Sequence, residues 1–192
     1  WEFLMNFLPA GSLMTFGEDS DGEILIGRQN DNTTLYRLTS RNANPPAPAL
    51  LSQTGAFKDL NTLEPETGVI PYDMIEDFWS DGSDKLRWLA IPNDGNPDTP
   101  EEQIRFFKNN NWEFPLGTVF IKHFELGGKR LETRFEVHAD DGKFYYLTYK
   151  WNDTQTDADL LLGGLDEEIM VNGSPQVWHY PSRSECPRYC KS

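Results

Sequence analysis

The stretch FPLGTVFIKHFELGGKRLETRFEVHADDGKFYYLTYKW, Phe114–Trp151, decides the fold. Two tight-turn signatures, Gly127-Gly128 and Asp141-Gly142, cut it into three runs: Gly117–Leu126, Arg130–Ala139 and Phe144–Trp151. Gly-Gly and Asp-Gly supply the positive φ angles that short hairpins need, so the expectation is a three-stranded antiparallel meander. In the middle run Leu131, Thr133, Phe135 and Val137 alternate with Glu132, Arg134, Glu136 and His138. Successive strand side chains point to opposite faces, which predicts one face on a core and a charged face turned to water or a partner. The third run is aromatic on both faces, with Tyr145, Leu147, Tyr149 and Trp151 opposed to Phe144 and Tyr146. That predicts a strand more buried than its neighbour.

Outward from this stretch, the chain keeps the same character. It has 192 residues, 38% of them hydrophobic and 13% aromatic, enough to bury a core in one domain or in a domain plus a fragment of another. Thirteen prolines and 15 glycines favour short strands and many turns over long helices. A formal net charge of −14 argues against nucleic acid, whose phosphates need clustered Lys and Arg, and against anionic membrane surfaces. No apolar run approaches the ~20 residues of a membrane-spanning helix. Trp1 stands where an initiator Met would, which gives the expectation of a processed product or a part of a longer polypeptide.

Residues 1–43 predict a unit of three short strands, at Leu13–Phe16, Glu23–Ile26 and Thr34–Leu38, with the rhythm of a propeller blade. One blade cannot bury its face alone, so missing blades or other chains are expected partners. Residues 44–49 contain Pro45, Pro46 and Pro48 and read as an extended linker. Residues 50–192 then form a β-rich domain, with a short helix expected at Gly55–Leu60, an irregular stretch from Pro65 to Pro71, and strands at Leu86–Ile91, Leu160–Leu162, Glu168–Val171 and Gln176–Tyr180. The fold class is mainly β: an antiparallel sandwich or Greek-key-like domain with a partial propeller-blade segment at the N-terminus.

No catalytic constellation stands out, and the chain alone is not expected to be an enzyme. Asp153, Asp157 and Asp159 share one turn-rich loop and are oxygen ligands of the kind Ca²⁺ takes; Asp81, Ser83 and Asp84 form a second such group. Asp and Asn also bond their own backbone in turns, which accounts for their density without an ion. His123 and His138 fall on neighbouring strands, with Glu125 and Glu136 as further zinc-type ligands, although a solvated charged face explains them as well. Trp112, beside Asn109–Asn111, is a stacking residue for a glycan or else a core aromatic. Asn32, Asn152 and Asn172 begin glycosylation sequons.

Two groups of segments resemble a known architecture. Thr15-Phe16-Gly17-Glu18-Asp19 with Asp21-Gly22-Glu23-Ile24 and Leu35-Tyr36-Arg37-Leu38 is similar to the last blade of glucose/sorbosone-dehydrogenase-like propellers, the soluble quinoprotein group. From Leu51 onward, Ile70-Pro71-Tyr72-Asp73, Phe78-Trp79-Ser80-Asp81-Gly82, Lys85-Leu86-Arg87-Trp88, Lys122-His123-Phe124, Leu131-Glu132-Thr133-Arg134, Tyr149-Lys150-Trp151-Asn152-Asp153 and Trp178-His179-Tyr180-Pro181 through Cys186 resemble the domain that follows such propellers and precedes a c-type haem domain in long bacterial proteins.

This resemblance implies an extracellular or periplasmic redox setting. It gives the expectation of a non-catalytic portion linking a quinoprotein-type propeller to an electron acceptor. The other expectation is an extracellular binding or assembly module, for Ca²⁺, a glycan or a protein partner, in which haem chemistry has been lost. Where the family carries the haem-attachment motif, this chain ends Cys186-Pro187-Arg188-Tyr189-Cys190-Lys191, with one residue more between the cysteines and Lys191 in place of the axial His. Haem c on Cys186, Cys190 and Lys191 would be a variant attachment. A Cys186–Cys190 disulfide is the preferred expectation, because residues four apart in a helical turn lie about 6 Å apart at Cα, within bridging range.

Overall fold

The computed structural model describes residues 12–18, 24–29, 34–37, 47–76, 79–93, 95 and 99–186. The chain divides into two compact units, Trp1–Ala47 and Pro48–Ser192. In the first, β1 (Ser12–Glu18), β2 (Ile24–Gln29) and β3 (Thr34–Arg37) form an antiparallel sheet in sequential order. The prolines at 45 and 46 lie outside the described residues, as do Asp19 and Asn32.

The second unit is built on one antiparallel sheet of six strands. These are β6 (Val69–Tyr72), β7 (Asp84–Ala90), β8 (Val119–Leu126), β9 (Lys129–His138), β10 (Phe144–Trp151) and β11 (Ala158–Leu160), each paired with its sequence neighbour. Two small hairpins accompany it: β4 (Phe57–Asp59) with β5 (Glu64–Pro65), and β12 (Leu165–Val171) with β13 (Ser174–Tyr180). The meander expected from the sequence is the centre of the sheet, extended by one strand on the β10 side and by two on the β8 side. Both residues of the Gly127-Gly128 turn have positive φ, as the hairpin requires.

Pairing runs in register from Val119↔Val137 to Phe124↔Glu132, then jumps to Glu125↔Arg130, leaving Leu131 as the extra residue of a bulge. The bulge re-aims Leu131, which packs with Phe124, Leu126, Ile169, Trp178 and Tyr180 and not with the Phe135 cluster.

Two cores result, one on each face of the sheet. Trp88, Ile121, Phe135, Tyr149 and Trp151 pack under the 51–63 segment, which contributes Leu51, Ala56, Phe57 and Leu63. On the other face, the β12–β13 hairpin lays Ile169, Trp178 and Tyr180 over Phe124, Leu126 and Leu131.

Four expectations are corrected here. The helix read at Gly55–Leu60 is a 3₁₀ turn at Leu51–Gln53 followed by β4. Extended backbone at Phe57 is what brings its ring edge-on to Trp88, with centroids 5.0 Å apart. The irregular stretch through Pro71 is in fact β6, where proline is tolerated because the strand is at the sheet edge. The charged face of β9 is not simply turned to water, since Glu132 is 0% exposed beneath the hairpin. β9 is also more buried than β10, whose Phe144 and Tyr145 stay exposed, because β9 is central and covered on both sides.

Candidate functional site: a cationic row on the sheet

Strand register places charge where the sequence alone does not. Tyr72 of β6 opposes Arg87 of β7, Arg87 opposes Lys122 of β8, Lys122 opposes Arg134 of β9, and Arg134 opposes Thr148 of β10. Directly opposed residues in antiparallel strands have Cα atoms about 4.5–5.5 Å apart, so three cationic side chains rise side by side from one face. The next row along carries Phe120, Glu136 and Tyr146.

Arg87 is buried at 4% exposure, and among the described residues its Nη1 makes no hydrogen bond. Its one ion-pair contact among the described residues is Asp73, 3.7 Å away and itself largely exposed. Burial and the neighbouring Arg87 and Arg134 charges push the Lys122 ammonium down to about 8. Burial raises the Glu136 carboxyl and the Tyr72 hydroxyl. Arg134 is held by Glu132, which also accepts a hydrogen bond from Trp178 Nε1 at 3.0 Å, and stacks its guanidinium 4.5 Å over the Phe124 ring.

Arg87 lines a cleft of about 340 Å³ with Tyr72, Asp73 and Lys85. A second cleft of about 410 Å³ brings Trp79, 82% exposed, to Phe124, Arg134, Trp178 and His179. The arrangement offers fixed positive charge beside aromatic surface, which suits recognition of an anion. Reasoning from sequence missed Arg87, Lys122 and Tyr72. The available signal was the spacing of two between Lys85 and Arg87, but the row exists only once strand register is known.

The opposite face holds a polar chain whose every hydrogen has a destination. Trp151 Nε1 donates to Thr133 Oγ1 at 3.1 Å, and Thr133 Oγ1 lies 2.8 Å from His123 Nδ1. His123 Nε2 lies 3.1 Å from Glu125 Oε1. One assignment satisfies all of them: Thr133 O–H donates to an unprotonated Nδ1 and Nε2–H donates to Glu125. Burial accordingly pushes the imidazolium down to about 4. The order Glu125, His123, Thr133 has the form of a nucleophile triad, but Thr133 and His123 are each 0% exposed, so the chain is structural.

The other residues singled out by sequence fall as follows. Asp157 accepts from Ser52 N–H at 3.1 Å and Ser52 Oγ–H at 2.6 Å, which fixes the 3₁₀ turn. Asp159 is in β11 opposite Lys150, while Asp153 sits in the exposed turn closed by Gln155 N–H to Asn152 O. The Asp157 carboxylate is thus committed to Ser52 and to the Ala158 N–H. Among the described residues no three His, Cys, Asp or Glu side chains gather in a way that could hold a metal ion. His138 stacks on Phe144 and points Nδ1 at Pro115 O, away from His123. Trp112 is exposed and packs edge-on against Phe106, centroids 5.3 Å apart.

Cys186 is fully buried at the end of a turn in which Ser182 O accepts from the N–H groups of Glu185 and Cys186. It is not a free thiol but is disulfide-bonded, while Cys190, the partner expected from the sequence, and Lys191 lie outside the described residues. Haem c does not fit Cys186. Thioether attachment needs a sulfur open to the porphyrin edge, and this one is enclosed by protein.

No protein-family model, curated protein or solved structure matches this chain. Among the described residues no helix is long and apolar enough to cross a membrane.

Proposed function

We propose that this chain is a non-catalytic binding module of a larger extracellular or periplasmic protein, and that it engages an anionic partner through the Arg87–Lys122–Arg134 face of its sheet. The observation that carries the reading is the register itself, which lines up three cations on adjacent strands of a molecule whose formal net charge is −14. Concentrating positive charge on one face of an acidic chain steers anionic ligands to that face and away from the rest of the surface. The resemblance to the domain following quinoprotein propellers supports a position beside a redox propeller, with residues 1–43 read as blade-like and residues 50–192 as sandwich-like. In this reading the module contributes contact, and electron transfer belongs to other domains.

Heteronuclear NMR of the full chain, titrated with a glutamate-rich peptide at low salt, tests the proposal. Amide shifts should concentrate at Arg87, Lys122 and Arg134 and diminish as salt is raised. Shifts confined to the Trp88–Phe135 face, or none at all, would overturn it.

A further inference from the structure

The position of Arg87 allows the ligand chemistry to be named, on the basis of the binding-module reading above. We infer that Arg87 is the anchor for a ligand carboxylate, and that Asp73 is an internal stand-in which the ligand displaces.

Three observations carry this. First, the Arg87 guanidinium is buried yet leaves Nη1 without a hydrogen-bond partner among the described residues, a costly state for a charged donor unless something fills it. Second, Arg87 is among the residues that line an open cleft, together with Tyr72, Asp73 and Lys85. Third, the group already nearest is a carboxylate, and it is poorly seated. Asp73 approaches at 3.7 Å, beyond hydrogen-bond length, and its side chain is 87% exposed. Asp73 follows β6 directly, and its own carboxylate is engaged at 2.8 Å by the Met74 N–H. A ligand carboxylate entering the cleft is free of that tether and can take the two parallel N–H···O bonds that a guanidinium fork favours.

The charged and titratable groups around the anchor set its selectivity. Lys85 flanks it on β7, Lys122 and then Arg134 continue the row, and Tyr72 faces it from β6. Glu136 is the acidic neighbour of Lys122 from β9. One negative oxygen pair is therefore matched close to Arg87, with Lys85 the second cation lining the same cleft. The shared chemistry is a carboxylate, borne either by a small free acid or by an acidic side chain of a partner chain.

Calorimetric titration of the full chain at low salt tests the inference, with succinate and a hexaglutamate peptide as probes and sulfate as control. In Asp73→Asn the affinity for the carboxylate probes should rise about fivefold, because the competing internal anion is gone. In Arg87→Lys it should fall about tenfold, since charge is kept and the fork is lost. Thermal melts report whether the Arg87 variant is folded; the Asp73 variant, altered at an exposed side chain, decides the question if it is not. Succinate binding as well as the peptide assigns the site to a free acid, and peptide binding alone assigns it to a partner's side chain. Sulfate binding equal to succinate, or an unchanged affinity in Asp73→Asn while Lys122→Gln still weakens binding, overturns the carboxylate anchor and leaves the binding module standing. Failure of the unaltered chain to bind any probe overturns the module itself.

Discussion

The two faces of the six-stranded sheet are drawn from the same strands, yet they solve the problem of polar groups in opposite ways. Facing the 51–63 segment, Trp151, Thr133, His123 and Glu125 pass hydrogen bonds along a chain in which His123 is neutral and every donor is used. Facing the β12–β13 hairpin, Arg87, Lys122 and Arg134 keep their charge while the covering hairpin reaches only the Phe124–Leu131 part of the face. A fully satisfied hydrogen-bond network rigidifies a core, whereas half-buried like charges cost stability. The contrast teaches that the first face is organised for folding and the second keeps interaction capacity in reserve.

The largest effect that would break this comparison is on the first face. Trp151→Ala removes a buried indole, the donor to Thr133 and the ring that Arg130 covers at 4.8 Å, so it should destabilise by about 3–5 kcal/mol in urea denaturation. A loss of under about 1 kcal/mol would mean the network is not holding that core.

Acid titration sharpens the same contrast. His123 sits at about 4 in the folded chain, below its ordinary value, so on acidification the unfolded chain takes the proton first. Stability from this group is full above about pH 6.5 and is lost as pH falls toward about 4, by roughly 2–4 kcal/mol in all. Comparing urea midpoints of the unaltered chain and His123→Gln at pH 7, 5 and 4 isolates it from the carboxylates, and the variant should show the shallower decline.

On the second face the same kind of cost is already present at pH 7. Lys122, pushed down to about 8, resists charging in the folded state, so Lys122→Met should stabilise the chain at pH 7 by about 1–3 kcal/mol while weakening anion binding. Stabilisation without loss of binding would separate the charge from the function assigned to it. The smallest effect is expected at the hairpin that half-covers this face. Asn172 and Gly173 both have positive φ there, so Gly173→Ala should cost about 1 kcal/mol, read as a lowered melting temperature.

How far these faces were legible in the sequence depended on the distance between partners. Alternation and turn pairs suffice for β8, β9 and β10, because everything that defines a hairpin is local. Asn172-Gly173 carries the same local signal between the expected strands at Glu168–Val171 and Gln176–Tyr180, which the structure lengthens into β12 and β13. The burial of Glu132 was out of reach, since the Trp178 that covers it is 46 positions away. Gly55–Leu60 has helical composition, but packing of Phe57 on Trp88 overrides it. The cationic row needs the register of three strand pairs together, which no periodicity supplies.

The sequential order of β6 to β11 has a kinetic consequence. Neighbour pairing keeps loop closure short for most of the sheet, the exception being the excursion from Ala90 to Val119, so β8–β10 are the natural nucleus and can form as they leave the ribosome. The β12–β13 hairpin is synthesised after them. Until it docks, Glu132 and Arg134 remain bathed in solvent, and the interval before docking is when the nascent sheet is most open to a chaperone or to the wrong strand.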